Sequence, residues 1–233
     1  MNESAPETPQ APETKDRFDA TRDELVMAAL PHVPFDGWSR KALVAAAADA
    51  GFDATMVERA FPGGGVEAAA HFAALADRKL DEDATAKADE LAAMRFTARV
   101  GWLIRRRIEA WAEHKEAVRR AVALLALPGN APRAMRAAWR TADTIWHVAG
   151  DQSTDFSYYT KRATLIAVYS STLLAWLDDS SEGAAGAWAF LERRLADVGR
   201  FTKFRKSAEA RFNKVPNPLR AALRAREKLR PRS

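Results

Sequence analysis

Apolar side chains recur at helical spacing along nearly the whole chain, and strictly alternating runs are hard to find. Leu25, Val26, Ala29 and Leu30 give the period of a short amphipathic helix from Arg22 to Leu30, stopped by Pro31 and Pro34. Ser39 is placed to cap a second helix running through Ala50 to Gly51, and Asp53 a third that closes on Phe61-Pro62. After the turn Gly63-Gly64-Gly65, the pattern predicts a fourth helix from Val66 to about Lys79. A long helix is expected from Ala84 to Leu127, with a break near Gly101. Its apolar positions are Leu91, Met94, Leu103, Ile108, Trp111, Val118, Val122 and Leu125. Pro128 to Pro132 is a turn, and Arg133 to Ala149 is helical again.

The stretch from Gly150 to Leu177 organises the rest. Asp151, Ser153 and Thr154 offer capping oxygens, so a helix should start close to Asp155. Two apolar stripes run along it, one through Phe156, Tyr159, Ile166 and Leu173, the other through Leu165, Tyr169 and Trp176. Charges occupy only the first half. The pattern predicts a central helix buried toward its C-terminus, whose surfacing N-terminal end carries Asp155, Tyr158, Lys161 and Arg162, the aromatic and arginine character of a binding patch. A polar connection leads to a helix from Ala187 to about Lys206, and Pro216 and Pro218 precede a last basic helical stretch.

Composition supports an all-α reading, because alanine dominates and β-branched residues are sparse. The net charge of +5 conceals a split: Arg200 to Ser233 carries twelve Lys/Arg against Glu209 and Glu227, which leaves the remainder net acidic. No run of 18 apolar residues exists, so a spanning helix is not expected. The first 24 residues hold seven acids and three bases, unlike a secretory signal or a transit peptide. Four regions follow: a disordered acidic leader (1–20), a helix-turn-helix-like unit (21–80), a helical domain (81–199) and a basic tail (200–233).

Candidate chemistry is scarce. The absence of cysteine excludes disulfides and thiol catalysis. His32, His71, His114 and His147 fall in separate segments without metal-ligand spacing, and no nucleophile elbow or phosphate loop is present. No enzyme activity, metal or cofactor is expected. Arg105, Arg106 and Arg107 read as a solvated face.

The first three helices, with Ala48-Asp49-Ala50-Gly51-Phe52 at the turn and the close on Phe61-Pro62, resemble a TetR-type repressor. A DNA-reading helix needs basic and amide side chains. Asp53 to Ala60 has two acids, one arginine and no Asn, Gln or Lys, so the fold is kept and specific DNA binding is not expected. A ligand-responsive transcriptional regulator is the alternative. Seven tryptophans and many apolar side chains suit either a filled core or a lipid cavity. The expected cavity wall is Ile166, Tyr169 and Leu173 with Trp139 and Trp146. In the tail, Phe201, Phe204, Phe212, Leu219 and Leu223 lie among cations such as Arg205 and Lys206, which suits a helix lying in an anionic membrane interface.

Asp151-Gln152-Ser153-Thr154-Asp155-Phe156, Tyr159-Thr160-Lys161-Arg162-Ala163, Trp188 to Arg194 and Ala28 to Trp38 resemble the accessory lipid-binding proteins of ubiquinone (coenzyme Q) biosynthesis. The resemblance spans roughly Arg22 to Arg200. It implies a TetR-like fold that has lost DNA binding, an apolar pocket for isoprenoid quinone intermediates or phospholipid, and a terminal amphipathic helix at the membrane. It also implies presentation of substrate to the di-iron demethoxyubiquinone hydroxylase through Asp155, Tyr158, Tyr159 and Arg162. Eukaryotic members tend to carry tryptophan at the position of Tyr158. Membrane lipids and the hydroxylase are the expected partners, with a homodimer left open. A bacterial cytoplasmic protein, peripheral at the inner membrane, is the expected setting.

Overall fold

The structure, a computed structural model, describes the backbone of residues 11–151 and 157–214 and the side chains of residues 17–151 and 158–200. It contains helices and no strands among the described residues. In chain order the α-helices are α1 (Ala11–Ala29), α2 (Val33–Asp36), α3 (Arg40–Asp49), α4 (Ala54–Ala60), α5 (Gly64–Ala86) and α6 (Ala88–Ala93). They continue as α7 (Phe96–Glu109), α8 (Lys115–Leu125), α9 (Ala131–Val148), α10 (Ser157–Asp178) and α11 (Ala185–Lys214).

The N-terminal unit forms as its caps predict. Ser39 accepts the Ala42 amide at the start of α3, and Asp53 accepts the Thr55 amide at the start of α4. Leu25, Leu30, Leu43 and Phe61 are sealed between α1, α3, α4 and α5. Each such side chain contributes about 1.5–3 kcal/mol. Trp38 fastens this unit to the rest: its indole donates to the Ala117 carbonyl at 3.0 Å, and its ring lies 5.4 Å from Phe72, which meets Trp111 edge-on. Gly65 permits the close approach, because a Cβ there would sit 1.8 Å from the Trp38 carbonyl oxygen.

Three expectations need correction. Helix α1 begins at Ala11, so half of the stretch expected to be a disordered leader is helical. Its Glu, Lys, Arg and Ala are good helix formers, and Arg22 lies 3.9 Å from Asp19 one turn back. The long helix from Ala84 to Leu127 is instead the end of α5 followed by three helices and a 3-10 turn (Ala112–His114), with bends at Lys87, Met94-Arg95 and Trp111. Gly101 is not a break. It lies inside α7, where a Cβ would come within 3.0 Å of Leu195 on α11, so it allows the two helices to approach. The bend at Met94-Arg95 is held by Arg99, whose guanidinium donates to the carbonyls of Leu91, Ala92 and Met94 and to Ala149 at the end of α9.

The C-terminal domain packs α10 against α9 and α11, with α5 touching α1, α3, α7, α8 and α9. The helix with the widest set of neighbours is therefore α5, not α10. Leu165, Val168, Tyr169, Thr172, Trp176 and Leu177 bury one side of α10, while Leu174 stays 56% exposed. No helix among the described residues is long and apolar enough to cross a membrane.

Candidate functional site: an apolar cavity with a polar wall

Small residues on α5 and α9 leave space between the helices. Ala69, Ala73 and Ala76 face Ala134, Ala137 and Ala138 across a cavity of about 280 Å³, completed by residues of α7, α8 and α10. That volume is close to the lower end of pockets for small organic ligands, about 300–1,000 Å³. Among its lining residues only Arg107, Thr141, Tyr169 and Ser170 bear polar side chains, apart from the indoles of Trp111 and Trp176. The half-exposed Leu174 also lines it, so the cavity reaches the surface beside α10.

The polar wall is built around Arg107. Its Nε donates to Asp77 Oδ1 at 2.7 Å, its Nη1 to the Tyr169 hydroxyl, and its Nη2 to the Ala73 carbonyl and Thr141 Oγ1. Thr141 in turn donates to Asp77 Oδ1 at 2.8 Å, and Arg140 reaches Asp77 Oδ2 from the outer surface at 2.8 Å. Arg107, Asp77, Thr141 and Tyr169 are all buried. Burial opposes the Arg107 charge, but the attraction of Asp77 and Tyr169 outweighs it, so its pKa lies above the ordinary guanidinium value. Burial likewise raises the Tyr169 phenol, against the pull of Arg107, and keeps it protonated at neutral pH.

The three consecutive arginines therefore do different things. Arg105 pairs with Glu109 and lies over the Trp188 ring, and Arg106 pairs with Asp83. Arg107, expected on a solvated face, is interior. The sequence held a signal for this: Leu103, Ile104, Ile108 and Trp111 form a helical stripe, and position 107 falls inside it. Asp77 sits in the same way within the stripe Leu75, Ala76, Leu80 and Ala84 of α5.

Of the residues expected to wall a cavity, Tyr169 and Leu173 do so. Trp139, Trp146 and Ile166 lie elsewhere. Trp146 stacks on Phe96 at 5.4 Å, and Ile166 packs against the core as a partly buried side chain. Trp139 turns to the opposite face of α9 from Ala137 and Thr141, because two residues are 200° apart on a helix. There it meets the rings of Tyr158 and Tyr159 at 6.4 and 6.0 Å.

This aromatic group is the surfacing end of α10. Tyr159 is 63% exposed. Arg162, expected to face a partner, is only 6% exposed and is committed internally. Its Nη2 lies 2.7 Å from Asp143 Oδ1, its guanidinium covers the Tyr158 ring at 3.2 Å, and the Tyr158 hydroxyl donates to Asp143 as well. Arg162 thus braces Tyr158 instead of offering its charge outward. Lys161 pairs with Asp151 at 2.6 Å. Asp155, Leu219 and Leu223 lie outside the described residues, as do the side chains of Phe201, Phe204, Arg205, Lys206 and Phe212, whose backbone continues α11. No cluster of His, Cys, Asp or Glu suited to a metal ion occurs among the described residues.

A model of the COQ9 family matches residues 131–202, which span α9, α10 and the start of α11. The chain is 34% identical over 185 residues to the mitochondrial ubiquinone biosynthesis protein COQ9 of Drosophila melanogaster, covering 78% of this chain and 56% of that protein. It is 31% identical over 179 residues to the Homo sapiens protein of the same name, covering 75% and 56%. With COQ9-B of Xenopus laevis the figures are 32% over 199 residues, covering 82% and 68%. The chain thus spans somewhat more than half the length of the first of these curated relatives. They are eukaryotic and mitochondrial by name, and the expectation of a bacterial protein is not borne out. Among solved structures, a TetR transcriptional regulator from Nitrosomonas europaea superposes with a TM-score of 0.61 over 76% of this chain and 97% of that one. At 20% identity it speaks for the all-α TetR-like fold alone. The long identity to COQ9 proteins, carried on this fold, establishes that the chain belongs to the COQ9 family.

Proposed function

We propose that the protein is a lipid-binding accessory protein of ubiquinone biosynthesis, which takes up isoprenoid quinone intermediates at a membrane and presents them to the demethoxyubiquinone hydroxylase. The observation that carries this reading is the apolar cavity between α5, α8, α9 and α10, open at Leu174 and faced by a buried polar wall. An amphiphile with a long hydrocarbon chain and a polar ring matches that division. Moving such a molecule from the bilayer costs about 0.8 kcal/mol per exposed CH₂, so a cavity beside the membrane removes most of the cost of reaching the ring. The relatives' names support the pathway.

The basic, phenylalanine-bearing segment after Arg200 is the proposed membrane contact, each cation contributing about 1 kcal/mol near an anionic surface. Tyr158 and Tyr159, braced by Trp139 and Arg162, form the proposed hydroxylase contact. A repressor role fits poorly: α4 carries Glu58, which accepts from Arg40 of α3 at 2.6 Å and so takes up a cation a DNA backbone would need.

Mass spectrometry of lipids that copurify with the native protein tests the cavity. Recovery of an isoprenoid quinone or phospholipid is expected, and a protein free of both would refute the pocket. Deleting residues 200–233 should abolish binding to anionic vesicles while leaving the cavity lipid in place.

A further inference from the structure

The polar wall has an imbalance of hydrogen-bonding groups. The Tyr169 hydroxyl accepts from Arg107, which leaves its own proton directed to no acceptor among the described residues. Trp111 also lines the cavity with its ring, but its indole Nε1–H is closed off from the cavity and meets no acceptor among the described residues. Of the other polar side chains of the wall, Thr141 donates to Asp77, the Arg107 donors go to Asp77, Tyr169, Thr141 and the Ala73 carbonyl, and Ser170 adds a second hydroxyl beside Tyr169. Phe72 and Trp111, edge-on to each other at 4.7 Å, add an aromatic surface to the same cavity. A buried donor without an acceptor is disfavoured, and an oxygen entering the cavity relieves it.

We infer that Tyr169 is a specificity-determining donor of the cavity, which selects a ligand whose ring carries carbonyl oxygens over a plain hydrocarbon of equal length. The inference rests on the lipid-pocket reading and adds to it the way the ring is recognised and oriented. The ring lies against the inner wall between α7 and α10, and the hydrocarbon chain runs toward the opening at Leu174. Arg107 acts through Tyr169, as a positioning residue: it holds the phenol oxygen so that the proton points away from it. The raised pKa of that phenol keeps the donor in place at neutral pH. The Arg107 guanidinium is taken up by Asp77 at 2.7 Å, so what the wall turns to the cavity is the phenol donor and not a free guanidinium.

Equilibrium dialysis of the full chain against two probes, decyl para-benzoquinone and decylbenzene, tests this. The wild type should hold the quinone more tightly. Tyr169→Phe keeps the ring and removes only the donor, and should weaken quinone binding about two- to tenfold while leaving decylbenzene unchanged. In the wild-type protein, which needs no variant to fold, the infrared carbonyl stretch of the bound quinone should fall to lower frequency than in hexane. Equal binding of the two probes, an undiminished preference in Tyr169→Phe, or an unshifted carbonyl band would overturn the inference and leave the lipid pocket standing. Binding of neither probe would overturn both.

Discussion

Removing the carboxylate of Asp77 is the sharpest test of the interior. Asp77 Oδ1 accepts from Arg107 Nε at 2.7 Å and from Thr141 at 2.8 Å, and Oδ2 accepts from Arg140 at 2.8 Å. Asp77→Ala leaves the Arg107 guanidinium inside the protein with its remaining partners all neutral. Breaking a buried pair from one side costs about 3–5 kcal/mol, because the surviving charge stays desolvated. For a chain of this size each kcal/mol moves the melting temperature by about 2–4 °C, so a drop of about 6–20 °C is expected. Circular dichroism melts or urea titration read it. The double variant Asp77→Leu with Arg107→Met removes both charges and should recover most of the loss, since replacing a buried pair with apolar groups of similar size is often neutral. A single-variant loss below about 1 kcal/mol would refute the reasoning. So would a double variant as unstable as the sum of its parts, because the two groups would then not be acting on each other in the interior.

The remaining predictions concern pH, the surface patch and one close contact. Burial lowers the His71 pKa below 6.5 despite its bond to Asp23, so the unfolded chain takes up a proton that the folded chain resists. Stability is therefore full above pH 6.5 and declines as the pH falls toward the lower folded value, and His71→Gln should flatten melts recorded between about pH 5.5 and 7.5. Tyr159→Ala should leave stability within about 0.5 kcal/mol of wild type and weaken capture of the hydroxylase in pull-downs; unchanged capture would remove this face from the proposed contact. Arg162→Ala should instead cost about 1–2 kcal/mol, discounted for the half-exposed Asp143, and loosen Tyr158; a stability-neutral result would show that the arginine is not a brace. Gly65→Ala drives a Cβ into the Trp38 carbonyl and should destabilise by at least the upper end of the about 1–3 kcal/mol typical of overpacking; a wild-type melt would contradict the contact.

Local chemistry made much of the fold legible. The caps at Ser39 and Asp53, the turn at Gly51, the break that opens at Pro128 and the helical period from Arg22 to Phe61 all depend on residues within one turn of each other, and the structure has them where the pattern predicts. The aromatic end of α10 was equally readable, because a helix whose charges sit only in its first half must surface there. What lay out of reach was set by groups distant along the chain. The bend at Met94-Arg95 is closed by Arg99 and the Ala149 carbonyl, and Gly101 serves a contact with Leu195 that no local window contains. The cavity was the hardest case. Its space comes from small residues on α5 and α9 facing each other, and whether apolar side chains fill a core or border a void depends on how the helices are placed. Arg107 reads as solvated beside Arg105 and Arg106 until Asp77, thirty positions earlier, is brought against it. Periodicity marks such a residue as inward-facing, but only the tertiary structure supplies the counter-charge that lets it remain there.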